Sequence, residues 1–200
     1  MSTTDSSPAS ASQAARRAMI DSQLRTSGVN EPWVLAAMAS LPRENFVPEG
    51  ARAAAYIDRA VPLGDGRYLA APLFHGRLLA EAAPVDADSA LLVGDAEGYL
   101  AALLRPLVGS LDVVAPADAA KARDAGPYSL IVIDGAAEEL PMALAGQLAD
   151  DGRVVTGLVE RGVTRLATGC KSGEAIALQP LAEMGIPILP EFAAPRRWSF

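Results

Sequence analysis

The sequence predicts an α/β fold: a doubly wound, mostly parallel sheet that closes with an antiparallel hairpin and is preceded by a block of short helices. Three observations carry this. From Ala90 to Val159, apolar runs of strand length alternate with stretches of helical spacing, the order that gives parallel strands joined by helices. Tyr128 to Asp134 reads YSLIVID, apolar at nearly every position, as a strand covered on both faces must be. Two further strand-like stretches flank Lys171-Ser172-Gly173, whose glycine suits a tight turn.

Residues 1–12 are almost all Ser, Thr, Ala, Asp and Pro, with nothing to bury, and predict a disordered tail. Residues 13–200 then form one domain, with a helical block over 13–72 and the α/β core over 73–200. Met19, Ile20, Gln23 and Leu24 lie near helical spacing and Gly28 stops them. A second helix is expected to start at Asn30 as its cap, with Pro32 in the first turn. From Leu41 to Pro72 proline and glycine are too dense for long regular elements, leaving a helical turn or two around 50–56. This block is expected to lie over the carboxyl edge of the sheet.

A helix over 73–83 and a buried strand over 90–93 come next, the strand stopping at Gly94. A helix over 99–108, broken at Pro106, follows. Leu111 to Ala115 reads as a strand, 117–125 as a short helix, and 128–134 as the central strand. A helix over 141–149 leads through Asp151-Gly152 into a strand over 153–159, and strands over 163–170 and 175–181 make the final hairpin.

Composition excludes several functions. The chain has 200 residues, 24 acidic against 17 basic, a net charge of −7, and scattered cations, so it offers no stripe for a phosphate backbone and no nucleic-acid partner is expected. One histidine, His75, and one cysteine, Cys170, cannot build the usual zinc cages, and no metal site is expected. No apolar run approaches the roughly 18–20 residues of a membrane span, and the first residues lack a signal-peptide pattern, so the expected setting is cytoplasmic. The chain is expected to act as a monomer or weak homodimer.

Gly94-Asp95-Ala96-Glu97-Gly98 lies where a strand feeds a helix, the place at which an open α/β sheet meets nucleotide-like ligands. An ordinary βα turn explains the same residues. Asp134-Gly135-Ala136 ends the central strand at the matching place, where a ligand contact and a helix cap are equal explanations for Asp134. His75 reads as a partly buried, hydrogen-bonded side chain. Cys170 reads as a small hydrophobe packed in a strand.

With the elements placed, the chain resembles the protein-L-isoaspartate O-methyltransferase family. The likeness begins at Met19-Ile20-Asp21-Ser22-Gln23-Leu24-Arg25 and is most specific at Pro42-Arg43-Glu44-Asn45-Phe46-Val47-Pro48-Glu49. It continues through Tyr56-Ile57-Asp58-Arg59, Pro62 to Gly66, Gly94, Gly98, Tyr99 and Pro127-Tyr128, and ends near residue 160. The resemblance implies a Rossmann-like methyltransferase fold and S-adenosyl-L-methionine as cofactor. It implies methylation of isoaspartyl carboxylates in damaged proteins or peptides. It places cofactor contacts at Gly94, Asp95, Ala96, Gly98, Asp134, Gly135 and Ala136, and substrate-side residues at Tyr56, Tyr68, Leu69 and Ala70.

The chain departs from the family's pattern at several positions. Leu92 stands where the strand usually carries an acid, Ala96 replaces the middle glycine of the loop, and Pro116 falls where an acid usually takes the ribose hydroxyls, with Asp118 nearby. The interval before Tyr128 is short for the usual third strand and helix. In the stretch Gly64 to Pro72, Tyr68 replaces a threonine and Ala70 the usual serine, so no catalytic hydroxyl is assigned, and the segment Tyr68-Leu69-Ala70-Ala71, with Tyr68 filling the space, is expected to close the substrate side instead of lining it. Two readings stand: a working methyltransferase with a reshaped pocket, and a catalytically degenerate relative that binds or scaffolds, with weak or no cofactor binding.

Overall fold

Helix α1 (Pro8–Met19) begins inside the stretch whose composition predicts a tail. The correction has a physical cause: Ser12 hydrogen-bonds Glu44 and Arg16 binds three groups near the helix's far end, so its Ala, Ser and Gln residues add a backbone bond each once that end is fixed. The computed structural model describes residues 8–121 and 125–194; residues 1–7 of the expected tail lie outside these. The described residues divide into two compact units between Ala80 and Glu81, deeper into the third helix than the expected boundary at 72.

In the first unit, α1 runs on through a π-helical turn (Ile20–Leu24) and a 3-10 turn (Arg25–Ser27) to Gly28, whose φ of +87° only glycine adopts readily. Helix α2 (Pro32–Ser40) has Pro32 in its first turn as expected, but its cap residue is Glu31, and Asn30 instead donates its amide to the Glu31 carboxylate. Two 3-10 turns (Arg43–Phe46 and Glu49–Ala54) follow. A hairpin that the sequence reading missed, β1 (Val61–Gly64) and β2 (Arg67–Leu69), turns at Asp65-Gly66. Helix α3 (Pro72–Ala82) packs closely on the first helices: a Cβ on Gly76 would lie 3.3 Å from Val29 and 3.4 Å from Leu24. Met19, Leu24, Val29, Val34, Met38, Phe74, Leu78 and Leu79 are all buried there.

The second unit is built on a six-stranded sheet. Its strands are β3 (Ser89–Val93), β4 (Ser110–Val114), β5 (Tyr128–Ala137), β6 (Leu148–Glu160), β7 (Val163–Ser172) and β8 (Ala175–Glu183), in the spatial order β4-β3-β5-β6-β7-β8. The first four are mutually parallel and the last two add the antiparallel hairpin, as the sequence predicts. Helices α4 (Tyr99–Leu104) and α5 (Met142–Gln147) are short. Leu91, Val93, Ile131, Ile133, Leu144, Val154 and Phe192 belong to one buried cluster.

Two sequence expectations change here. The helix expected over 117–125 is a 3-10 turn at Pro116–Asp118; residues 122–124 lie outside the described part. So few residues cannot repay the cost of nucleating an α-helix. Cys170 is exposed, not packed: it lies near the far end of β7, paired with exposed Ala177 close to the 172–175 turn, beyond the buried Leu166 and Ala167.

Candidate active site

Strand order places the candidate site. From β3 the chain crosses to β4 on one side and then to β5 on the other, so the carboxyl ends of β3 and β5 form the topological switch point at which open α/β sheets bind ligands. Gly94 ends β3 there and Asp134 stands beside it on β5: a Cβ on Gly94 would lie 3.3 Å from the Asp134 Cβ. The two candidate motifs, separate in sequence, therefore meet. Asp134 is half-buried and Asp95, Ala96 and Glu97 are exposed.

The loop between them is held by its own groups. Gly94 donates its amide to the Val114 carbonyl at 2.8 Å, Glu97 to the Asp95 carboxylate at 3.0 Å, and Gly98 to the Asp95 carbonyl at 3.0 Å. Gly98 suits this closure, since a Cβ would stand 3.0 Å from both the Cβ and the carbonyl oxygen of Asp95, which would have to give way. Leu92 is buried, with its side chain 3.6 Å from where a Gly94 Cβ would be, so an apolar group occupies the position of the family's acid. Asp118 is ion-paired with Lys121.

Gly135 and Ala136 are reached by a segment that sequence reasoning missed. Strand β5 continues past Ile133, where β3 ends, with β6 along one edge. The edge that β3 leaves is taken by Pro187 to Leu189: Ala136 donates to the Pro187 carbonyl at 2.8 Å and accepts from the Leu189 amide at 2.9 Å. Leu189 lies over Gly135, 2.6 Å from where its Cβ would be, and Phe192 accepts the amides of Glu138 and Glu139. The strip of sheet edge just beyond the Gly94 turn is thus walled by the C-terminal segment. Its Ile-Pro-Ile-Leu-Pro run is a strand-like signal that the two prolines conceal.

The substrate-side residues lie in the first unit. Tyr56, Leu69 and Ala70 are buried, whereas Tyr68 is 49% exposed, because strand alternation in β2 turns it outward as Leu69 turns in. The Tyr68 ring therefore does not fill the buried space expected of it, while Leu69, Ala70 and Ala71 of the same segment are buried. The Tyr56 hydroxyl accepts from Arg16 Nε at 2.8 Å and from the Arg43 amide at 3.3 Å, and donates to the Glu44 carboxylate. Burial raises the Glu44 pKa, but the Tyr56 hydroxyl, its own backbone and Arg16 outweigh this and hold it below the ordinary value. Burial and the Glu44 carboxylate raise that of Tyr56.

Arg43, inside the most specific motif, is fully buried. Its guanidinium donates to the Ala55 carbonyl at 2.8 Å, to the Ala70 carbonyl, and to His75 Nδ1 at 3.0 Å. Since a guanidinium only donates, Nδ1 accepts and the His75 proton sits on Nε2. His75 is thus buried and hydrogen-bonded. Among the described residues no group of three or more His, Cys, Asp or Glu gathers to hold a metal, and no helix is long and apolar enough to cross a membrane.

A mostly parallel sheet with a glycine-containing loop at its switch point, a C-terminal hairpin and an N-terminal helical unit defines a Rossmann-like protein of the methyltransferase class. Two solved structures share the fold. One is a Plasmodium falciparum protein-L-isoaspartate O-methyltransferase in complex with S-adenosyl-L-homocysteine, with a TM-score of 0.71 and 18% identity over 88% of this chain and 98% of that one. The other is a protein-L-isoaspartate O-methyltransferase with a TM-score of 0.71 and 16% identity, over 89% of this chain and 67% of that one. The family model for protein-L-isoaspartate(D-aspartate) O-methyltransferase matches residues 14–121. A protein-L-isoaspartate O-methyltransferase of Koribacter versatilis is 32% identical, covering 70% of this chain and 74% of its own. One of Methanoculleus marisnigri is 30% identical, covering 88% and 92%. The chain belongs to the protein-L-isoaspartate(D-aspartate) O-methyltransferase family.

Proposed function

We propose that this chain transfers the methyl group of S-adenosylmethionine to the side-chain carboxylate of isoaspartyl residues in damaged proteins or peptides. The observation that carries the reading is the meeting of the Gly94 turn with Asp134 at the switch point of a sheet whose fold is shared with solved members of the family. The residues there fit the cationic end of the cofactor: Asp95, Asp134 and Glu97 offer carboxylates to an ammonium and a sulfonium, and Gly94, Ala96 and Gly98 keep the turn small. Gly135 and Ala136, under Leu189, form the adjoining wall.

When bound, the cofactor supplies a methyl group already activated by its sulfonium charge. The protein's tasks are then alignment and exclusion of water, since a carboxylate is an ionised nucleophile at neutral pH and needs no base. Tyr56, Leu69 and Ala70 are buried directly beneath the side that meets the isoaspartyl peptide and support it, with the half-exposed Tyr68 at its outer margin. Ala70 brings no hydroxyl, so orientation at that place rests on backbone. The reading includes a cytoplasmic setting, and a chain acting alone or as a weak homodimer.

A second reading, a relative that keeps the fold for binding or scaffolding, rests on two observations: the amides of Gly94, Glu97 and Gly98 are bonded within the chain, and buried Leu92 replaces an acid. Titration with S-adenosylhomocysteine separates the two. The enzyme reading expects micromolar binding, and ligand at a hundred times its dissociation constant then adds about 2.7 kcal/mol of stability, visible in any thermal melt. No shift at millimolar ligand supports the second reading.

A further inference from the structure

We propose that Arg43 is a positioning residue that sets the shape of the peptide-binding surface, acting through the Ala70 carbonyl and His75; this rests on the functional reading above. The guanidinium joins three chain segments at once. It binds the carbonyl of Ala55, immediately before Tyr56; the carbonyl of Ala70, at the end of the β2 segment; and His75 Nδ1, in the first turns of α3. Its backbone amide adds a fourth tie, to the Tyr56 hydroxyl. The guanidinium therefore holds the backbone next to Tyr56, through Ala55, and the backbone that follows Leu69, through Ala70.

The planar guanidinium fixes these acceptors in a plane and at set distances, which a lysine ammonium cannot do. Full burial removes water as a substitute partner, so losing one donor displaces the segment it held. Ala70 stands where the family pattern carries a hydroxyl, and with only a methyl side chain its neighbourhood is shaped by backbone position alone. Holding that carbonyl is then the means left to orient a peptide there, in a reaction that depends on alignment. His75 acts with Arg43: as the Nδ1 acceptor it fixes the rotation of the guanidinium.

The test uses the full chain with Arg43→Lys, His75→Phe and His75→Asn, the last placing an amide oxygen where Nδ1 accepts. Each is assayed for methyl transfer to an isoaspartyl hexapeptide, for S-adenosylhomocysteine affinity by calorimetry, and for amide exchange at 69–71. Arg43→Lys and His75→Phe are expected to raise the peptide KM about tenfold, the loss of roughly one charged hydrogen bond, with cofactor affinity within twofold. Exchange at 69–71 should quicken, and His75→Asn should restore both readouts. Unchanged peptide KM in Arg43→Lys and His75→Phe overturns the proposal, as does an equal loss of cofactor affinity or a failure of His75→Asn to restore. Transfer absent in the unmodified chain overturns the functional reading itself and the proposal with it. If Arg43→Lys does not fold, the His75 pair decides.

Discussion

Arg153 on β6 clasps Asp88, in the turn ahead of β3, through both carboxylate oxygens: Nη2 to Oδ2 at 2.7 Å and Nη1 to Oδ1 at 3.1 Å. The same guanidinium donates to the carbonyls of Ala82 and Ala83, and Asp88 also accepts from Ser129 Oγ at 2.6 Å and from the Val85 amide. Within the second unit this network ties residues 82–88 and the amino ends of β3 and β5 to β6, at the opposite end of the strands from Gly94 and Asp134.

Acid stability follows from this pair. Burial alone would raise the Asp88 pKa, but Arg153, Ser129 and the Val85 amide outweigh it and hold the carboxyl at about 2, against an ordinary 3.8. A folded-state pKa below the unfolded one stabilises fully above the unfolded value and is lost as pH falls towards the folded one. Between about pH 4 and 2 the second unit should therefore lose about 2 kcal/mol from this group. Denaturant melts from pH 6 to 2 check it: Asp88→Asn should be less stable at pH 6 and show a flatter acid limb, and an unchanged limb counts against the network.

The C-terminal wall gives a second prediction. Gly135→Ala places a methyl group 2.6 Å from Leu189 Cγ, so Leu189 must move, at a cost of about 1–3 kcal/mol. Gly50→Ala, where nothing lies within 4 Å, is the control and should be near neutral. Amide exchange at Leu189, whose hydrogen bond ends on Ala136, should quicken in Gly135→Ala only. Equal stability of the two variants would show that the 187–189 segment does not pack as described.

The Tyr56 hydroxyl joins Arg16 and Glu44, neither more than 15% exposed at the side chain, and Tyr56→Phe removes it. The cost should be about 1–3 kcal/mol, that of leaving partly buried partners unsatisfied. The Glu44 carboxyl, held down in part by this hydroxyl, should return upward. Carbon-13 NMR titration of Glu44 reads this directly, and an unmoved titration curve would remove Tyr56 from the account.

The core strands were legible because their signal is local. The run from Tyr128 to Asp134 has no other use than a doubly covered strand, and Gly94 and Gly28 stop their elements where the sequence places the stops. Asp134 and Gly94 could be placed near each other because topology, not contact, brings them together. What stayed hidden depends on tertiary partners. The β1–β2 hairpin is too short to show a period of two, α1 extends into Pro8 because Arg16 and Ser12 find partners far along the chain, and the role of Arg43 requires Ala55, Ala70 and His75 in one place. A charged pair, Arg43-Glu44, set between prolines and apolar residues was the one available hint that something buried needed it.

Methyl transfer to a matched pair of peptides, identical but for an isoaspartyl or an aspartyl residue, tests the central claim most directly. With methyl-labelled S-adenosylmethionine, the account predicts base-labile label in the isoaspartyl peptide, at a turnover well above the uncatalysed background, and none in its aspartyl twin. Label in neither peptide, from a chain shown by its melt to be folded, would contradict it.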